Sequence, residues 1–264
     1  MTTEAAPVHL SKSQLGTLST CALQYQRKYI FKERGEPMPA KVGAGVGMHA
    51  AFARYFNCKR MGQTLPTVLD MLAVADAEWR EFGEKQGGLR WEDPPNDEQN
   101  LKADLLQAIT AFDSKVGPLI KPWGVEVPAK ITLKYPDLEQ PVESYIDLVG
   151  DDEQHTIYDW KFSQRYTERV EAGNDHVLYS LWASEKFGIP NTPFKTVQFV
   201  RYKKGLEIRG LEDDQAFLVT PADREWHLKH VVYEAIRLKN AGIYMANVAN
   251  CNWCAFKSTC RPTV

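Results

Sequence analysis

Several things are scarce in this sequence, and each scarcity narrows what the chain can be. No stretch approaches the ~18 uncharged apolar residues of a membrane helix, so no membrane span is expected. The opening MTTEAAPVHLSKSQ lacks a basic segment leading into an apolar one. That pattern is not a secretory signal, and the expected compartment is the cytoplasm. An excess of one charge is also missing: 32 Lys and Arg stand against 34 Asp and Glu, a net charge of −2. Any nucleic-acid contact must therefore come from local patches. No Gly-Lys-Ser/Thr follows the glycine-rich stretch, which excludes a P-loop and ATP-driven unwinding by this chain. There is no internal repeat and no low-complexity tract. Cysteines number only five, and an odd count in such a chain argues against a disulfide framework.

What is present is the composition of an ordinary globular protein, 44% hydrophobic and 25% charged over 264 residues, enough for one elaborate domain. From Leu10 to about Lys32 the leucine spacing predicts a helix capped by Ser11 or Ser13. GAGVGMHAAFARYF predicts a second, with Met48, Phe52 and Tyr55 on one face. Two more are expected from about Thr64 to Phe82 and from Asn96 to Val116, separated by the loop-like QGGLRWEDPPNDE. From Pro122 the pattern changes to alternation: VEVPAKITLKYP, VESYIDLVGD and HTIYDWKFS predict strands. A helix then runs from NDHVLYS to Gly188, FKTVQFVRYKKG predicts a further strand, and ADREWHLKHVVYEAIRLKNAG a long amphipathic helix. The order helices, β-β-β-α-β, helix implies an α/β fold. It is read as a single domain over 1–264: a helical annex (10–120), a core (121–220), and a C-terminal helix with a cysteine tail (221–264).

Three of the five cysteines crowd the last fourteen residues, as Cys251, Cys254 and Cys260 in C-x2-C-x5-C. Thiolates so spaced can curl round one metal centre, and a fourth ligand is required. Cys21 is the better candidate, because Cys58 ends an apolar run and reads as a buried packing residue. A zinc site of four thiolates and an iron–sulfur cluster both remain open on these residues.

The second constellation lies in ESYIDLVGDDEQHTIYDWK. Asp147 ends an apolar strand fragment; Asp159 and Lys161 are two apart, so both side chains leave one face of a strand. Carboxylates converging from adjacent strands can hold Mg²⁺ or Mn²⁺. A lysine beside them can orient water or stabilise charge on phosphate. A hairpin with exposed charges is the alternative reading. Glu143, four residues before Asp147, is either a further ligand or an exposed strand charge. Arg201 and Lys203 are candidate phosphate contacts or a solvated face.

An aspartate, about a dozen residues, then Asp-x-Lys resembles the core of the PD-(D/E)XK nucleases. The resemblance extends to their RecB-like iron–sulfur branch, which includes AddB-type and CRISPR-associated exonucleases. GAGVGMHAAF is similar to the Gly-x-x-x-His helix of that branch, with His49 as a metal ligand and Gly45 allowing close backbone approach. Tyr179 matches the tyrosine of the Gln-x-x-x-Tyr motif, but Asp175 stands where the glutamine would be. LSKSQLGTLSTCALQYQRKYI is similar to the opening helix, with Ala22 rather than proline after the lone cysteine. This resemblance, from about Leu10 to Cys260, implies a mixed central sheet flanked by helices, with a [4Fe–4S] cluster on Cys21, Cys251, Cys254 and Cys260. It implies a Mg²⁺- or Mn²⁺-dependent DNA exonuclease in which His49, Asp147 and Asp159 bind metal and Lys161 positions water. Tyr179, Arg201, Lys203 and Asp175 would then lie near the strand. Single-stranded DNA or DNA ends are the expected substrate, and a helicase or recombination protein the possible partner. A catalytically silent DNA-binding or scaffold subunit is the alternative.

Overall fold

A computed structural model describes residues 9–92, 97–163, 166, 173–202, 204–212 and 216–260, apart from the side chains of 250, 252 and 253. Lys203 lies outside the described residues. The first element among the described residues is a short strand, β1 (Leu10–Ser11), not the expected helix. Helix α1 (Lys12–Thr20) follows, started by a capping box: Ser11 accepts from the Gln14 backbone, and the Gln14 side chain accepts from the Ser11 N–H. The expected continuous helix breaks at Cys21, which is extended (φ −159, ψ 106). α2 (Ala22–Tyr25) then runs into a π-helical turn, Gln26–Ile30. A lone extended residue between two helices cannot be read from leucine spacing, because the spacing continues through it.

Strand β2 (Met38–Pro39) pairs in parallel with β3 (Leu89–Arg90), inside the segment read as loop. Between them lie α3 (Ala40–Arg60) and α4 (Val68–Lys85), followed by α5 (Glu98–Lys115). Close packing of α3 on α4 depends on Gly43 and Gly47. A Cβ at the first would strike the Trp79 ring, and at the second the Ala75 carbonyl. Gly45, expected to allow the close approach, has open space at its Cβ position; the helical period places its neighbours, not Gly45, on the packed face.

The long strands are β4 (Pro122–Tyr135), β5 (Leu138–Gly150), β6 (Ile157–Ser163) and β7 (Thr192–Tyr202). The shorter β8 (Gly205–Arg209) and β9 (Phe217–Val219) both lie against β7. With β1 they form one seven-stranded mixed sheet among the described residues. Helix α6 (Asn174–Phe187) ends at Gly188, whose φ of 69 is the left-handed conformation glycine accepts without strain. It connects β6 to the parallel β7. The C-terminal helical region is α7 (Pro221–His227), a π turn at Leu228–Val232 and α8 (Tyr233–Asn240). No helix among the described residues is long and apolar enough to cross a membrane.

Apolar cores cover both faces of the sheet. On one, α3, α4 and α5 pack Phe52, Phe56 and Phe112 against Trp160 and Phe199; the Phe52 and Phe112 rings stack 3.8 Å apart. On the other, α1, α6 and α8 pack Leu15, Leu178 and Ile236 against Ile131, Ile146 and Ile157. His227 is buried beneath α6, its Nε2 2.6 Å from Asn174 Oδ1, and burial holds its pKa below the ordinary 6.5. Below 6.5 the unfolded chain therefore takes up this proton before the folded one, and stability falls. Lowering the pH from about 7 to about 5 is expected to depress the melting temperature more in wild type than in His227→Gln. Parallel pH profiles would remove His227 as a cause.

Candidate active site

The site is created by the way β5 shares one of its edges. Along the other edge β4 pairs from end to end. On this edge β1 pairs in parallel with Val142 and Glu143, while β6 pairs antiparallel with Leu148 and Val149. Between them, residues 144–147 have no ladder partner on this edge among the described residues, and β1 and β6 diverge from β5 as a fork. Two backbone groups at the fork are taken up by side chains instead. Tyr179 on α6 donates its hydroxyl hydrogen to the Tyr145 carbonyl at 2.7 Å. Asp147 Oδ2 accepts the Trp160 N–H at 3.0 Å.

The carboxylates follow from register. Val125 pairs with Leu148 and Val127 with Ile146, so Glu126 stands opposite Asp147. Leu148 pairs with Tyr158, and one further step sets Asp147 opposite Asp159. At Asp147 the strand's facing switches: Ile146 packs into the core under α1 and α6, yet Leu148 packs into the core under α3 and α5. Val127 and Val125 divide in the same way around Glu126, whose φ of 48 is left-handed. The paired irregularity turns Asp147 to His49, with Nδ1 and Oδ2 3.3 Å apart. On β6, Tyr158, Trp160 and Phe162 face the α3 core. Asp159 and Lys161 alternate to the other face, where Lys161 Nζ donates to Asp159 Oδ1 at 2.9 Å.

Electrostatics separate the two aspartates. Burial alone would raise Asp147, but His49 and the Trp160 N–H hold its carboxyl below the usual range. Burial pushes Asp159 up; Lys161 pulls it back, yet with the Asp147 charge opposing ionisation it stays above its ordinary value. Burial opposes charge on His49 as well, and the Asp147 carboxylate overrides it and raises the imidazole. Two buried carboxylates on facing strands with one disfavoured by the other form a site short of positive charge. Hard oxygen donors with a neighbouring imidazole suit a divalent cation such as Mg²⁺ or Mn²⁺. In the geometry described, His49 is turned to Asp147 and Lys161 to Asp159. Among the described residues no three His, Cys, Asp or Glu side chains are drawn into a closed cage.

Glu126 is the acidic residue that pattern reading missed. It looks like an outward polar position in V-E-V-P alternation, and only the register brings it opposite Asp147. Although its surface is exposed, its carboxyl is raised by the protein around it and by Asp147, against the pull of His49 and Lys12. If Glu126 shares the cation, Glu126→Gln weakens Mn²⁺ binding about tenfold or more without lowering the melting temperature. An unchanged Mn²⁺ affinity, read from the free-ion EPR signal, excludes it from the donor set.

Other expected residues are placed elsewhere or given other partners. Glu143 forms a cross-strand ion pair with Lys130 on β4 at 3.4 Å. Arg201 is ion-paired with the buried Asp104 on α5, a strut between helix and sheet. Asp175 lies 3.5 Å from Lys12 Nζ. Cys58 is buried, as a packing residue would be.

Cys21, Cys251, Cys254 and Cys260 line one small cavity of about 50 Å³ with Gln24, Arg27 and Phe256. The tail reaches it through specific bonds: Leu23 N–H to the Met245 carbonyl at 3.1 Å and Glu36 N–H to the Ala255 carbonyl at 2.7 Å. Arg27 lies over the Phe256 ring at 4.7 Å and donates to Thr259 Oγ1 at 2.9 Å. Backbone N–H groups point at sulfur: Asn247 to Cys21 Sγ and Phe256 to Cys254 Sγ, each 3.4 Å. Burial, and the other three cysteines, raise the Cys254 thiol despite that bond. A thiol whose ionisation three neighbouring cysteines oppose fits a positively charged thiolate-binding centre.

Among solved structures, a crystal structure from Eubacterium rectale, of a protein provisionally called an exonuclease, aligns with a TM-score of 0.60. It is 12% identical, and the alignment covers 100% of this chain and 93% of the other. The protein SSO0001 aligns at 9% identity over 97% of this chain and 87% of the other, with a TM-score of 0.44. No curated protein matches the sequence. The first alignment speaks for the fold alone. The sequence pattern of one family spans residues 9–261, from before β1 to beyond Cys260, and by that match the chain belongs to the PD-(D/E)XK nuclease superfamily.

Proposed function

We infer that the protein is a Mg²⁺- or Mn²⁺-dependent DNA exonuclease of the RecB-like iron–sulfur branch. The observation that carries the reading is the fork in β5, which brings Asp147, Asp159, Lys161 and His49 to one place in a chain of nuclease ancestry. The provisional description of the Eubacterium rectale structure agrees with exonuclease action. Asp147 and Asp159, with His49 and Glu126 beside them, would hold the cation, which would supply Lewis-acid activation of water and charge neutralisation at phosphate. Lys161 holds the Asp159 carboxylate in place and carries the positive charge that orients an attacking water. His49, held by Asp147, fixes that carboxylate from the α3 side.

The tail is read as a [4Fe–4S] site. Each thiolate of a cluster binds a different iron, so the sulfurs stand further apart than around one zinc. Four cysteines lining one cavity support the cluster. So does the arrangement of one ligand at the N-terminal side and three at the other.

Digestion of end-labelled single-stranded and duplex DNA by anaerobically purified protein, with Mg²⁺, Mn²⁺ or chelator, tests the reading. Metal-dependent release of label from ends supports it. Binding without cleavage in any metal would replace it with the silent-subunit alternative.

A further inference from the structure

Tyr179, the tyrosine of the α6 motif, has no hydrogen left to offer a nucleotide. Its hydroxyl donates to the Tyr145 carbonyl at 2.7 Å and accepts from Lys12 Nζ at 2.7 Å and Ser144 Oγ at 3.3 Å. Burial pushes this phenol up to about 12, so it stays protonated at neutral pH. Asp175, one helical turn earlier, approaches the same ammonium at 3.5 Å. The two α6 residues therefore converge on Lys12, at the first position of α1 and immediately after β1. Together they hold a cation in the mouth of the fork.

The setting requires one. Asp147, Asp159, Glu126 and Asp175 make this end of the sheet negative, and a strand of phosphates approaching it needs fixed positive charge as well as the cation. Lys161 is bonded to Asp159, and Arg201 to Asp104 behind the sheet. Lys12 is close enough to feel the Asp159 carboxylate and to act on Glu126. Its side chain keeps 27% of its surface open. Tyr179 and the long contact to Asp175 leave one ammonium N–H without a partner among the described residues.

We propose that Lys12 is a phosphate-binding residue, held by Tyr179 and Asp175 to take a backbone phosphate of the DNA strand next to the metal site. Where a Gln-x-x-x-Tyr motif would present its own side chains, this chain presents a lysine from another element. The inference rests on the nuclease reading above and names a contact within it.

The test is equilibrium binding of a fluorescent single-stranded oligonucleotide, with Ca²⁺ replacing Mg²⁺ to prevent cutting, across a range of salt. For Lys12→Gln the dissociation constant is expected to rise about tenfold, and the slope of log affinity against log salt to shrink by about 0.7, one phosphate contact. Lys12→Arg is expected to keep the wild-type slope. Asp175→Asn, which frees Lys12 from its counter-charge, is expected to bind DNA about twofold to fivefold more tightly. A purely structural clamp gives the opposite pattern: an unchanged slope in Lys12→Gln and weaker or equal binding in Asp175→Asn. That result overturns the role of Lys12 while leaving the nuclease reading intact. Wild type that binds no DNA overturns the DNA reading, and the role of Lys12 with it.

Discussion

Asp159→Asn is expected to abolish DNA cleavage, by about a thousandfold or more, while leaving the metal-free protein as stable as wild type or more so. Both halves come from the same geometry. Asp159 faces Asp147 across the fork, bonded to Lys161, so its loss removes a donor to the cation and the anchor of the lysine. In the metal-free protein its carboxyl is held above the ordinary range by burial and by Asp147. Its folded pKa lies above the unfolded one, so at neutral pH the ionised group opposes folding, and a neutral isostere relieves that opposition. Cleavage rates with Mn²⁺ and a thermal melt in chelator read the two halves separately. A variant that loses activity together with stability would attribute the loss to unfolding, and an active variant would remove Asp159 from the chemistry.

Cys254→Ala is expected to lose iron, acid-labile sulfide and fold stability together. The centre proposed to tie Cys21 to the tail would close a loop of nearly the whole chain. That closure would remove about 5 kcal/mol of unfolded-state entropy, comparable with the whole stability of a domain. The backbone bonds from Leu23 and Glu36 to the tail position the ends but are individually worth only about 1 kcal/mol. Cys58→Ala is the matched control: that thiol is buried in α3 and lines no shared cavity with the other four. It is expected to keep its iron and to lose about 1 kcal/mol from packing alone. A Cys254→Ala protein that stays folded without iron would show the staple to be dispensable. Zinc without sulfide in the wild type would replace the cluster with a single-ion site.

Some of this is local and therefore legible in sequence. Asp159 and Lys161 share a face because a strand alternates every second residue, a rule needing no knowledge of the rest of the fold. The end of α6 at Gly188 and the start of α1 at Ser11 are equally local. What escapes is set by partners distant in the chain. Leu10 and Ser11 are strand only because Val142 and Glu143 lie beside them; alone they look like the start of a leucine-spaced helix. Glu126 becomes a site residue through register, and Arg201 a strut through Asp104 on α5. Lys12 acquires its setting only when Tyr179 and Asp175, more than 160 residues on, fold against it. A motif singles out Gly45, whereas the close approaches occur at Gly43 and Gly47, where α4 crosses.

The fork in β5 also has a consequence in time. Its first prong is two residues long and pairs with Val142 and Glu143, so it cannot form until more than half of the chain has been made. Contacts so distant in sequence are slow to form and come late, after local helices and hairpins. The β4–β5 hairpin and the α3–α5 bundle can assemble from neighbouring segments, but the fork around Asp147 is complete only once β1 has been recruited to β5. On a ribosome at work among nucleic acids, the nascent chain would therefore carry the parts of a nuclease without the edge that arms it.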